Sequence, residues 1–168
     1  MNISEELKQT AIDLNLCKEW TDGWLNPNLD DLCQMFITGI DFCIKNDYPS
    51  LKYIKQNFGD VACKHGIFVD SEINLNNPDI AILMGATKGS IELSGYVSRD
   101  IYVRHDSEVH IKVKDKAKAF IGVFDNAKVI VENEGSSRVF VYQYIDKFKG
   151  EIKTSGDVLV RIRTFDDL

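Results

Sequence analysis

Apolar residues in the first third of the chain follow the three-and-four spacing of a helix face. Leu29, Leu32, Cys33, Phe36, Ile37, Ile40, Cys43 and Ile44 lie on one stripe and predict a helix over residues 29–44. Asn28 suits its N-cap, and Asp30 and Asp31 suit the positive end of its dipole. Met35 and Phe42 fall off that stripe, two turns apart, which predicts cover on more than one side. An earlier helix is predicted over residues 4–20, with Glu5 and Glu6 in its first turn, and a short third one over residues 50–58, between Pro49 and Gly59. Asp22-Gly23 and Asn26-Pro27 mark the loop between the first two.

Beyond Ile91 the period changes to two, with a longer beat above it. Ile91, Ile101, Ile111, Ile121, Val131 and Val141 stand ten residues apart. Leu93, Val103, Val113 and Val123 follow the first four at two residues, and Val109, Ala119, Val129 and Val139 precede others by two. Each ten therefore reads as a short strand with alternate residues turned inward. The turn residues Asp106-Ser107-Glu108, Asp115-Lys116-Ala117 and Asp125-Asn126-Ala127 arrive at nearly constant phase, followed by a cluster at 133–137.

Two architectures produce this beat: an antiparallel meander or sandwich, and a β-solenoid with two tens per coil. Two-residue hairpins favour Asn-Gly or Asp-Gly, and neither pair occurs between Ile91 and Val141. The outward residues discriminate further. The tens centred on Ile101, Ile121 and Val141 carry Tyr102, Phe120, Phe124, Phe140, Tyr142 and Tyr144, whereas those centred on Ile91, Ile111 and Val131 carry no aromatic residue. Stacking every second ten separates an aromatic face from a charged one, and this favours the solenoid. The fold expected is α+β, with a helical segment at residues 1–65 and a short, parallel β-helix-like solenoid at residues 66–168. Ile73, Leu75, Ile80 and Ile82 supply earlier strands, Asp146 to Gly150 an inserted loop, and Val158, Val160 and Ile162 a last strand.

Composition narrows the function. Of 168 residues, 44% are hydrophobic and 27% charged, so the chain has material for a core. The net charge of −6 argues against a protein built to grip nucleic acid or anionic lipid. No apolar run is long enough for a membrane helix, and the first eight residues lack an export pattern, which predicts a cytoplasmic protein with reduced thiols. Cys17, Cys33, Cys43 and Cys63 lack paired zinc spacings, and Cys63-Lys64-His65 alone makes a poor metal seed. No metal and no cofactor is expected.

Chemistry-bearing clusters are few. Arg104-His105-Asp106, with Asp100 upstream, is the best acid–base candidate, but it falls where a strand enters a turn, a usual place for solvated polar residues. Lys112, Lys114, Lys116 and Lys118 suggest a basic patch. Glu132 and Glu134 follow Lys112 and Lys114 by twenty residues, so stacked coils would pair them as a charge ladder. The six rings are hardest to leave in water; the helices, a second copy or a foreign molecule could cover them.

The runs Gly39-Ile40-Asp41-Phe42-Cys43-Ile44-Lys45-Asn46-Asp47-Tyr48-Pro49, Gly66-Ile67-Phe68-Val69-Asp70 and Val97-Ser98-Arg99-Asp100-Ile101-Tyr102-Val103-Arg104-His105 resemble small uncharacterised proteins of gut anaerobic bacteria and their integrated mobile elements. Over residues 80–163 the repeat is similar in style to bacterial β-helical scaffolds such as bactofilins. Neither resemblance implies an activity or a site residue. The function expected is a non-enzymatic interaction or assembly protein that uses its aromatic face as an interface, within the chain, in a homo-oligomer or with another protein. The alternative is a carbohydrate-binding or carbohydrate-active β-helix using that face and the Arg104–Asp106 corner.

Overall fold

In the computed structural model, which describes residues 2–168, Asn28 caps the helix that its neighbours predict. Its side chain accepts from the Asp31 amide at 2.9 Å, and Asp31 accepts from the Asn28 amide at 3.1 Å. The stripe is buried at Leu32, Cys33, Phe36, Ile40, Cys43 and Ile44. It is carried on two helices, however: α3 (Leu29–Thr38) and α4 (Ile40–Asn46) meet at Gly39. Glycine costs about 1 kcal/mol inside a helix, so the break falls at the weakest link. The first predicted helix is divided too, into α1 (Ile3–Asp13) and α2 (Lys18–Asp22). Asn15 stops α1 by taking φ 65°, a left-handed conformation that Asn tolerates better than most residues. α5 (Leu51–Asn57) starts on a Ser50 cap as expected, and α6 (Gly59–Lys64) is an addition to the sequence reading. Burial and the charge of Asp30 push the Cys33 thiol up to about 11. No disulfide forms among the four cysteines.

These helices, with Leu168, form one compact unit, and Gly66–Asp167 forms another. The second unit is a parallel β-solenoid. Its odd strands are β1 (Ile67–Val69), β3 (Ile80–Met84), β5 (Ser98–Val103), β7 (Lys118–Val123), β9 (Arg138–Tyr144) and β11 (Val158–Arg163), and they make one sheet. The even strands β2 (Glu72–Asn76), β4 (Lys88–Leu93), β6 (Glu108–Val113), β8 (Lys128–Asn133) and β10 (Glu151–Ser155) make the other. Ile91 pairs with Ile111 and Ile111 with Val131; Ile101 pairs with Ile121 and Ile121 with Val141. The coil is therefore twenty residues, and the meander is excluded. These stacked columns form the core between the sheets, where most members are 0–1% exposed.

Left-handed residues turn the corners. Gly85, Gly95, His105, Asp115 and Asp125 all have φ between 55° and 76°, one at each ten. Two residues beyond Gly85, His105, Asp115 and Asp125 stand the small, buried Thr87, Ser107, Ala117 and Ala127, and Ser137 takes the same place one coil after Ala117. The hydroxyls among these are satisfied by carbonyls one coil earlier or within the turn, as in Thr87 to Met84 at 2.8 Å and Ser107 to Gly85 at 3.2 Å.

Candidate functional site

Alternation along the odd sheet places the six aromatic residues on its outer face, in three rows. Phe120 pairs in register with Phe140, and their rings stack at 5.5 Å with only 5° between planes. Phe124 and Tyr144 stack at 4.5 Å, and Phe165, in the 3₁₀ turn Phe165–Asp167, tilts against both at 6.5 Å. In the middle row, Tyr102 and Tyr142 flank Gly122. Glycine is required there because a Cβ would lie 2.9 Å from Cε2 of Phe124, whose ring folds back across it. Phe124 is 1% exposed, and the other five rings are half-buried.

The last strand continues this face with cations. Arg161 follows Tyr142 in register, and its guanidinium lies 5.8 Å from the Phe140 ring; that of Arg163 lies 4.9 Å from the Tyr142 ring. A cation over a ring face is attracted by its quadrupole. Tyr142 and Tyr144 are thus engaged by residues of their own unit, and the alternative reading needs both open to stack on a sugar. Sequence reasoning located the rings but missed Arg161, Arg163 and Phe165. The signal available was the alternation of Leu159, Arg161 and Arg163 in step with Phe140, Tyr142 and Tyr144.

In the Arg104-His105-Asp106 corner, His105 and Asp106 bond to neighbouring coils. His105 is the left-handed turn residue; its Nδ1 accepts from the Gly85 amide at 3.1 Å, and its own amide donates to Asp125 at 3.0 Å. Asp115 accepts from the Gly95 amide at 2.8 Å, and Asp106 accepts from Asn126 at 2.9 Å. Polar side chains on one coil therefore cap turn amides on the adjacent coil, a use that repeats at both edges. Arg104 is 3% exposed.

Asp100 stands apart, between Ile80 and Phe120 in its row. Burial against apolar neighbours raises its carboxyl above the ordinary value. A carboxyl raised in the folded state lowers stability as pH rises through that range, because the unfolded chain ionises first. Asp100→Asn is therefore expected to stabilise the solenoid at pH 7, and to have no such effect well below the ordinary carboxylate range. Its outer edge is exposed, so the gain should stay below about 1 kcal/mol. Denaturant unfolding at the two pH values checks this; an equal effect at both would mean that charge is not the cause.

On the opposite sheet the basic residues are laddered with acids. Lys112 lies 3.9 Å from both Glu132 and Glu134, Lys114 lies 3.1 Å from Glu92, and His110 lies 2.8 Å from Glu132. The hydrogen bond and charge of Glu92 raise the Lys114 ammonium above the usual lysine value. Such solvent-screened pairs each add little to stability and serve chiefly to keep the stacked strands in register. His65 bonds Asp30 at 2.8 Å, and among the described residues no three His, Cys, Asp or Glu side chains gather as metal ligands. Among the described residues no helix is long and apolar enough to cross a membrane. Comparisons with family models, with curated proteins and with solved structures give no match.

Proposed function

We propose that the protein is a non-enzymatic assembly module, in which the aromatic face braces the solenoid and the open C-terminal edge joins a second copy. The observation that carries this reading is β11. It is the outermost strand of its sheet, and Val160 and Ile162, at positions that earlier coils use for the core, are 41% and 68% exposed. Leu159 and Ile145 beside them are 43% and 47% exposed. An unpaired apolar edge strand is a template for another chain.

The sequence of the strand selects the register. Antiparallel pairing about a two-fold centred on Val160 sets Val158 against Ile162, Leu159 against Arg161, and Asp157 against Arg163 of the other copy. Centring on Arg161 would oppose that cation to itself, which is unfavourable. A self-complementary patch of this kind closes as a dimer and does not propagate. The bactofilin-like style of the repeat, the His105 ring already committed to the Gly85 amide, and four free thiols, which suit a reducing cytoplasm, fit the same reading.

Sedimentation equilibrium tests it. The chain of 19.1 kDa is expected to sediment at twice that mass, and Ile162→Lys to sediment as a monomer with an unchanged far-UV circular dichroism spectrum. A native protein that stays monomeric at all concentrations overturns the reading. So does a dimer that survives both Ile162→Lys and Val160→Lys.

A further inference from the structure

The break at Gly39 has a second effect, inside the helical unit. A cavity of about 440 Å³ opens beside it, bounded by α1, α2, α3 and α4, the segments between them, and Tyr48, Pro49 and Phe58. It falls within the range of small-molecule sites, roughly 300–1,000 Å³. Met35 and Phe42, the two residues that lay off the helical stripe, line it together with Trp20, Trp24, Phe36 and Tyr48. Gly39 leaves this wall without a side chain; a Cβ there would meet the Met35 carbonyl oxygen at 3.3 Å and the Trp20 ring at 3.8 Å.

Two polar atoms on this wall are already committed. The Tyr48 hydroxyl donates to the Leu7 carbonyl at 2.8 Å, and Trp24 Nε1 donates to Ser4 Oγ at 2.9 Å. What enters is therefore held by burial of carbon surface, with little polar readout at depth. The mouth differs. Asn15, Thr38 and Asp41 are solvent-exposed there, and Asp41 is the one lining residue, among those described, that carries a charge at neutral pH. Lys8, whose ammonium reaches the Trp24 carbonyl at 3.5 Å, does not line the cavity. Residues 1–65 hold ten acidic and six basic side chains, so the wider field also favours a cation.

We propose that this cavity binds a hydrophobic amine: an apolar, ring-bearing body buried against the tryptophans, and an ammonium group at the mouth beside Asp41. A carboxylate on the same body would meet the like charge of Asp41 at the mouth and binds more weakly. The proposal is independent of dimerisation through β11, since it rests on side chains of the helical unit alone.

The two tryptophans of the chain both line the cavity, so intrinsic fluorescence of the full-length protein reads occupancy directly. Phenylbutylamine, phenylbutanol and phenylbutanoate share one body and differ in head charge. The amine is expected to give a saturable spectral change with a dissociation constant about tenfold below that of the carboxylate, which corresponds to about 1.4 kcal/mol between attraction and repulsion at a wet rim. Asp41→Asn, a substitution on the exposed first turn of α4, should shrink that gap to below about threefold and leave the alcohol unaffected. Gly39→Leu, at a backbone conformation open to any residue, should fill the cavity at this wall and weaken all three, with thermal-shift measurements as the second readout. Equal binding of amine and carboxylate, a gap that survives Asp41→Asn, or no saturable change with any of the three overturns the proposal.

Discussion

Ile111→Ala and Ile121→Ala should each destabilise the solenoid by about 2–5 kcal/mol, the range for truncating a fully buried isoleucine. Both side chains are 0% exposed, and each stands mid-column between like residues, Ile91 and Val131 in one sheet and Ile101 and Val141 in the other. Parallel hydrogen bonding holds neighbouring strands about 4.8 Å apart, so coils above and below cannot close on the void left behind. The lost contacts then go unreplaced, which puts the cost toward the upper part of the range. Trp20 and Trp24 both lie in the helical unit, so far-UV circular dichroism in denaturant, and not tryptophan fluorescence, is the measurement that follows the strands. Ile130→Ala is the control: Ile130 lies in the same sheet as Ile111 but is 45% exposed, and its loss should cost within about 0.5 kcal/mol. Losses below about 1 kcal/mol at both inward positions would mean that the columns do not carry the core.

The regular coils were legible because their corners take a constant number of residues. From Ile91 to Val141 every register pair is separated by twenty, so apolar columns stay in phase and the aromatic and charged faces separate by alternation alone. Phase is lost at both ends. Ile67 pairs with Ile82 and Ile73 with Gly89, shorter steps of fifteen and sixteen residues, while Ile152 pairs with Val129, a step of twenty-three. β1 and β10 therefore escaped a search for a ten-residue beat, although Ile67 and Ile152 are ordinary strand residues. The helix breaks at Asn15 and Gly39 were hidden for a different reason. The apolar stripe runs straight through Gly39, and only backbone cost, a term of about 1 kcal/mol, distinguishes a bend there from a continuous helix. At the aromatic face the rings were visible, but the ring of Phe124 lying across Gly122 depends on a rotamer, which no spacing encodes.

Gly89 is the position where that kind of hidden contact has its largest expected consequence. It stands in register between Ile73 and Val109 at the exposed start of β4, where the following coils place valine, so by alternation alone a valine would be acceptable. The backbone forbids it. Gly89 has φ +143°, a region that is essentially glycine's own, and an added Cβ would stand 1.9 Å from the Ile73 carbonyl oxygen. That oxygen belongs to the paired strand, so relief requires pushing β2 away from β4 and breaking their hydrogen bonds. Gly89→Ala thus adds backbone strain to overpacking, for a combined cost of about 3 kcal/mol or more. Gly95→Ala separates the two effects. Gly95 is also left-handed, at φ +76°, but a Cβ added there would meet nothing within 4 Å, so strain alone remains, about 1 kcal/mol. Amide hydrogen exchange should show β2 losing protection in Gly89→Ala and keeping it in Gly95→Ala. Equal costs for the two substitutions, with β2 protected in both, would mean that the strand pair yields to the methyl group and that close approach of β2 is not what requires glycine here.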